Sequence, residues 1–348
     1  MKSMFRLSAV GRPAAVCAAA VMCAAVARAW DYPGHRMINQ IAMAALPPDF
    51  PAWARTGPGA DRIAYLAGEP DRWRDTKLAP LEHYNGMDHY IDLEQLPEAG
   101  IALDTLTPFR YDFCIEFAKG RAAHADRFPP IDVRKDWDHS RAWPGFLPWT
   151  MYEYYAKIQV EFSILRTLER HGGTPDEIEN TKASLIYMMG VMGHYVGDGS
   201  QPLHTTIYHH GWVGPNPHGY TTDYRFHEWI DGGFIRKAGI KLGELLPQSH
   251  IVRPFSVAPT AKERYPVFAD IVQYLERQNR EVEPLYRLEK EGKLQGPGPE
   301  SAEGRAFIDG QLVKGGEMLA RLWLTAWRNP TPCGYLQREL MAHATPAP

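Results

Sequence analysis

The chain has 348 residues, of which 45% are hydrophobic, so it is long enough and apolar enough to form a sizeable core. Its 38 basic and 41 acidic side chains give a formal net charge of −3. This near balance excludes the strongly basic surface by which many proteins capture a polyanion.

Residues 1–29 have the features of a signal peptide. Lys2 and Arg6 give the segment a positive start, an apolar run over 14–26 is too short to span a membrane, and Ala-Arg-Ala at 27–29 fits the small-x-small cleavage pattern. We therefore expect a secreted or periplasmic protein that begins at Trp30 and has no transmembrane segment. Cleavage removes four basic residues and no acidic one, which moves the net charge from −3 to −7.

Apolar residues recur mostly at spacings of three and four, which predicts helices, and no run of strand alternation is present. Thr174, Pro175 and Glu177 are typical of an N-cap, a first-turn proline and a capping box. The expected helices cover 34–46, 151–170, 174–198, 222–235, 302–328, and a stretch over 261–292 with interruptions near two prolines.

The sequence thus predicts an all-α fold in a single domain over 30–335, followed by a disordered tail over 336–348 that is rich in Ala and Pro. Two cysteines, Cys114 and Cys333, lie in the expected mature chain. In an oxidising compartment they can form one disulfide, and two buried free thiols are the alternative.

The stretch GHYVGDGSQPLH places ionisable side chains at the end of an apolar helix, where charge is costly unless it is paired or bound to metal. His194 and Asp198 are four residues apart and share one helix face, and the following turn returns His204 to them. His227 and Asp231 in FHEWID have the same spacing. Histidine and carboxylate together are ligands of catalytic zinc, so the sequence predicts a metal site here.

Three upstream segments carry further candidate ligands. Asp71 in GEPDRWRD is followed three residues later by Arg74, and His89 in GMDHYID lies among apolar and aromatic residues. At the expected mature terminus, His35 follows Trp30 by five residues. A free α-amine can bind metal as histidine does when it is not protonated.

Several neighbours compete for these roles. Glu69 and Asp75 are alternatives to Asp71, and His83 is an alternative to His89, which its HYID context favours. Three more histidines lie in or next to the loop GWVGPNPHGY, and we expect them to be solvated, with accessory metal binding as the alternative. They are His209, His210 and His218.

These motifs resemble the zinc-dependent superfamily that contains bacterial phospholipase C and the single-strand-specific nucleases of fungi and plants. The matching pieces, in family order, are W-x4-H, D-x2-R, H-Y-I-D, H-x3-D-x5-H and H-x3-D, over roughly 30–231. The C-terminal third matches only in being helical. The resemblance implies packed helices around three zinc ions.

The resemblance also implies how the ligands are shared. The first zinc would be bound by Asp71, His89, His194 and Asp198. The second would be bound by His35, Asp198, and the amine and carbonyl of Trp30. The third would be bound by His204, His227 and Asp231. Asp198 would then bridge two zincs, Asp71 and Arg74 would act in catalysis, and a zinc-bridging hydroxide would attack phosphorus.

The implied reaction is phosphodiester hydrolysis. Arg74 falls where the nucleases carry an arginine that contacts the transferring phosphate, since a guanidinium suits that oxyanion. Tyr90 falls where they carry an aromatic residue that stacks on a base, although ordinary packing is the alternative for it. We therefore expect a nuclease acting on single-stranded nucleic acid or 3′-nucleotides, with no stable protein partner implied.

The loop after the third histidine departs from the nucleases, which carry Gly-Gly-Asn there, whereas this loop is longer and retains only Gly214 and Asn216 as echoes. Tyr208, Trp212 and Val213 would suit acyl chains, so phospholipid hydrolysis of the phospholipase C type is the first alternative. A non-catalytic secreted zinc-binding protein is the second.

Overall fold

The computed structural model of the chain describes residues 30–74 and 76–344, so the expected signal peptide and Asp75 lie outside it. Within these ranges the fold is all-α and forms one domain, as predicted. In place of strands, the described residues contain a single isolated bridge between Ile91 and Gly145. None of the described helices combines the length and apolarity needed to cross a membrane.

The α-helices of the described chain fall into two halves. The first half contains α1 (Tyr32–Ala45), α2 (Ala52–Arg55), α3 (Gly57–Leu66), α4 (Glu69–Arg74), α5 (Ala79–Leu81), α6 (Gln95–Glu98), α7 (Arg110–Ala123) and α8 (Leu147–His171). The second contains α9 (Pro175–Asp198), α10 (Phe226–Glu228), α11 (Phe234–Ala238), α12 (Leu242–Leu245), α13 (Pro266–Asn279), α14 (Val282–Lys290), α15 (Ala302–Arg328) and α16 (Gly334–Ala344).

Four long helices, α1, α8, α9 and α15, form the centre of the fold, and α9 packs against the other three. The approach of α15 to α1 depends on glycine, because a Cβ on Gly316 would lie 2.4 Å from Cγ2 of Ile41. The start of α9 is confirmed. The hydroxyl of Thr174 accepts the Glu177 N–H, and the Glu177 carboxylate accepts the Thr174 N–H.

Two expectations need correction. The helix predicted for 222–235 begins only at Phe226, because Asp223 bends the chain by accepting the Arg225 N–H, and it becomes a π-helical turn over Trp229–Gly233. The stretch 261–292 is confirmed as helical with interruptions near its two prolines, since α13 begins at Pro266 and α14 begins at Val282. The tail is helical as far as Ala344 and packs on α8, since good helix formers precede its final prolines.

Cys114 and Cys333 are both free thiols. Of the two possibilities that the sequence leaves open, the structure therefore shows the unpaired one. Both side chains are only partly buried rather than enclosed in the core.

Candidate metal centre

The last turn of α9 carries His194 and Asp198 into the interior, and small residues beside them let other helices approach. A Cβ on Gly197 would lie 2.7 Å from Nδ1 of His35, and a Cβ on Gly193 would lie 1.7 Å from Oδ1 of Asn39. Glycine at both positions is therefore what allows α1 to place His35 against the end of α9.

Asp198 lies at the centre of the first group of side chains, which is fully or almost fully buried. Its Oδ1 is 3.4 Å from Nε2 of His35, and its Oδ2 is 3.0 Å from Nδ1 of His89 and 3.5 Å from Nε2 of His194. Oδ1 of Asp71 lies 3.8 Å from Nε2 of His194. The structure thus brings together all five of these predicted ligands.

This first group contains two overlapping sets of three residues. Within each set, the possible ligand atoms all lie within 4.8 Å of one another. One set is His35, Asp71 and His194, and the other is His89, His194 and Asp198. The first set joins His35 to Asp71, a combination that differs from the sharing implied by the family resemblance. The short distance from His35 to Asp198 keeps the implied sharing compatible with the structure.

The second group consists of His204, His227 and Asp231, which also meet the 4.8 Å criterion. Nε2 of His227 lies 2.9 Å from Nε2 of His204 and 3.2 Å from Oδ2 of Asp231. His227 and Asp231 are one turn apart across the junction of α10 with the π-helical turn.

Hydrogen bonds behind both groups fix the orientation of the rings. Nδ1 of His194 lies 2.7 Å from the Ala67 carbonyl oxygen, and Nδ1 of His204 lies 2.7 Å from the His89 carbonyl oxygen. A carbonyl only accepts, so each Nδ1 carries the proton and each Nε2 is left to bind a metal. The Gln201 amide donates to Oδ1 of Asp231 at 2.7 Å.

Burial dominates the electrostatics. Desolvation lowers the pKa of His194 and of His204 to about 3, although their hydrogen bonds to Ala67 and His89 oppose the shift. Desolvation likewise raises the pKa of the Asp198 carboxyl well above its usual range, with the nearby Asp71 carboxylate adding to the shift. Metal binding requires neutral imidazole and ionised carboxylate, and the first of these states is already favoured.

The polar atoms at the centre of the first group lack hydrogen bonds. Within the described residues, neither oxygen of Asp198 and neither ring nitrogen of His35 makes one. A buried carboxylate without donors is costly, and a divalent cation among nitrogen and oxygen ligands removes that cost. The donor set therefore fits zinc.

Trp30 connects the start of the described chain to both groups. Its fully buried indole donates from Nε1 to Oγ of Ser200 at 2.8 Å, and the next N–H, of Asp31, donates to the Asp231 carbonyl at 2.9 Å. The chain at Trp30 thus lies between the ends of the Asp198 and Asp231 segments. Metal binding by its amine stays a prediction.

Arg74 and Tyr90, the predicted substrate contacts, both lie next to predicted ligands. Nη2 of Arg74 donates to Oδ1 of Asp71 at 3.1 Å, and Tyr90 is partly buried with its ring centre 6.4 Å from that of His209. The competing residues point elsewhere, because Glu69 pairs with Arg72 and His83 contacts the Asp138 carbonyl.

Two loop histidines lie close to the candidate metal centre, which was not predicted from the sequence. The ring of His210 lies 5.3 Å from that of His227 and stacks on Tyr224 at 4.1 Å, and Nδ1 of His209 lies 3.8 Å from Oδ1 of Asp92. The prediction of solvated side chains is confirmed for His218, which is exposed, whereas His209 and His210 are partly buried. The feature of the sequence that could have indicated this position is the pair of adjacent histidines at 209 and 210.

Comparison of the chain with protein-family models finds no match, and comparison with curated protein sequences finds no significant match.

Proposed function

We propose that this protein is a zinc-dependent phosphodiester hydrolase. The observation that best supports the proposal is Asp198, a fully buried carboxylate that receives no hydrogen bond from the described residues and lies within 3.5 Å of three histidine rings. A carboxylate placed to serve two metals is what a paired-metal hydrolase needs. Bound zinc would supply Lewis acidity and a nucleophile at neutral pH.

The chain would hold three zincs with the ligands implied by the family motifs. The first group supplies the ligands of two of them, together with the terminus at Trp30, and the second group supplies those of the third. Arg74, already oriented by its bond to Asp71, would bind a phosphate oxygen. Zinc binding by the amine of Trp30 requires that the protein is exported and cleaved directly before this residue, and we propose that it is.

Two observations favour a nucleic acid or a 3′-nucleotide over phospholipid as the substrate. Tyr90, an aromatic residue of the kind on which a base stacks, directly follows His89 and is only partly buried. Tyr208 and Trp212, which an acyl-binding rim would require, instead stack on each other at 4.1 Å, and Trp212 packs edge-on against Tyr286. Rings engaged in the core offer little surface to a lipid chain.

A substrate panel with zinc analysis tests the proposal. Protein beginning at Trp30 is expected to contain zinc and to hydrolyse bis-p-nitrophenyl phosphate, single-stranded DNA and RNA, and to lose these activities with chelator. Zinc without hydrolysis of any phosphodiester would support the non-catalytic binding protein instead. Hydrolysis of phosphatidylcholine without hydrolysis of DNA, RNA or 3′-nucleotides would establish the phospholipase.

A further inference from the structure

One surface cavity shares three chain segments with the candidate metal centre. Its volume is about 560 Å³, which is within the usual size of small-ligand sites, roughly 300–1,000 Å³. Its lining includes Trp73, Asp88 and Tyr195, which are the direct neighbours in sequence of Arg74, His89 and His194. The cavity and the candidate metal centre thus share these three segments, with adjacent residues serving each.

Aromatic rings from α4, α7, α8 and the connecting segments form much of the cavity wall. They belong to Trp73, Tyr84, Tyr111, Trp143, Phe146 and Tyr154. Two of these rings are strongly exposed, Tyr84 at 53% and Tyr111 at 83%. Exposed aromatic rings around a concave site are surfaces on which flat ligands stack.

The polar part of the cavity is one ion-pair network. Arg110 donates to Oδ1 of Asp88 at 2.7 Å, to both oxygens of Glu153 at 2.9 and 3.0 Å, and to the hydroxyl of Thr150 at 2.9 Å. One cation therefore faces two carboxylates, which leaves the network rich in acceptors. The exposed Lys157 adds a positive charge, with its Nζ 5.0 Å from the centre of the Tyr154 ring.

We propose that this cavity binds a nucleobase of the substrate strand at a distance from the scissile phosphate. A nucleobase has a flat face for the tyrosine rings and amino groups that donate to carboxylates such as Glu153, and Lys157 suits the attached phosphate. An acyl chain would instead desolvate the charged Arg110 network and offer it no hydrogen bond in return. The nucleic-acid class of the ligand rests on the proposed function.

Cys114 provides a test that does not depend on hydrolysis, because this free thiol also lines the cavity. Burial raises the pKa of the Cys114 thiol, so alkylation by iodoacetamide is followed at alkaline pH, in a Cys333→Ser background. Adenosine, which has no phosphate to bind zinc, is expected to slow the alkylation several-fold at saturation.

Two exposed tyrosines supply variants that leave the core intact. Tyr84→Ala and Tyr111→Ala are each expected to raise the adenosine concentration needed for half-protection by about fivefold or more, the effect of losing one base–aromatic stack. Tyr335→Ala, on α16 and 67% exposed, is the matched control and is expected to change nothing. Melting temperatures verify that all three variants fold.

The outcomes separate this inference from the proposed function. Absence of protection in the parent protein, or full protection in both cavity variants, would overturn the nucleobase site. Loss of protection in Tyr90→Ala alone would place the base at the metal centre and would also overturn it. Failure to hydrolyse bis-p-nitrophenyl phosphate refutes only the hydrolase, and adenosine protection would then support a nucleoside site.

Discussion

Replacing Asp198 by asparagine is expected to change the stability of the protein in opposite directions with and without zinc. The substitution keeps the shape of the side chain and removes its charge. Without metal, Asp198 is a buried carboxyl group that receives no hydrogen bond from the described residues, so its replacement should stabilise the fold. With metal, the same oxygens would serve two zincs, so the replacement should destabilise the protein and remove most activity.

The magnitude follows from the ionisation of the buried group. At pH 7 a carboxyl can avoid its charge by binding a proton, at about 1.4 kcal/mol for each pH unit above its usual pKa near 3.9, or about 4 kcal/mol in all. The asparagine amide would lack partners there, which costs about 1–3 kcal/mol. The metal-free variant should therefore gain about 1–3 kcal/mol. A 100-fold loss of zinc affinity would cost the zinc-bound protein about 2.7 kcal/mol.

Denaturant unfolding with chelator and with excess zinc measures both signs. Asp92→Asn is the matched control, because Asp92 is also buried but bonds to the Gln95 amide at 2.7 Å and belongs to none of the ligand sets among the described residues. Its effect on the free energy of unfolding should be the same in both conditions. A change of equal sign and size in Asp198→Asn, with and without zinc, would refute the metal-bridging role.

Tyr90→Ala should raise the KM for single-stranded DNA about fivefold or more and leave bis-p-nitrophenyl phosphate turnover unchanged in steady-state kinetics, because only DNA has a base to stack; equal effects would contradict the role. A tag joined directly ahead of Trp30 should cost one zinc and most activity, since an amide nitrogen has no free lone pair. Equal zinc by elemental analysis would withdraw Trp30 as a ligand. Metal-free protein should melt at progressively lower temperature from pH 7 to pH 4.5. Five buried histidines have a lowered pKa in the folded state and stay neutral there, whereas in the unfolded state they bind protons near pH 6.5. Asp198 and Asp231, with raised pKa, act in the opposite sense but are outnumbered, and a flat melting profile would contradict this balance.

The two His–Asp pairs of the candidate centre could be predicted from sequence because their geometry is local, whereas the placement of His35, Asp71 and His89 beside Asp198 or His194 followed only from the family resemblance. His194 and Asp198 need only one helical turn to meet, as do His227 and Asp231, and the capping box at Thr174 is equally local. The glycines next to His194 and Asp198 were not interpreted from the sequence, although close helix packing needs them.

The sequence does not predict which residues of distant segments lie opposite each other. The Ile91 N–H donates to the His204 carbonyl at 2.9 Å, and the Leu93 N–H donates to the Thr205 carbonyl at 3.3 Å. No local pattern encodes this pairing, yet it brings His209 to Asp92. The π-helical turn at Trp229–Gly233 could not be predicted either, because the local sequence does not distinguish it from an ordinary α-helical turn.

The packing of α1 against α15 sets an order of events during biosynthesis. A ribosome delivers α1 early, but α15, which covers it, is made near the end of the chain, and Gly316 must be in place before Ile41 is enclosed. Contacts between such distant parts of a chain form slowly. The apolar face of α1 around Ile41 therefore stays uncovered until nearly the whole polypeptide is made, and a nascent chain that stalls within α15 would leave that face exposed.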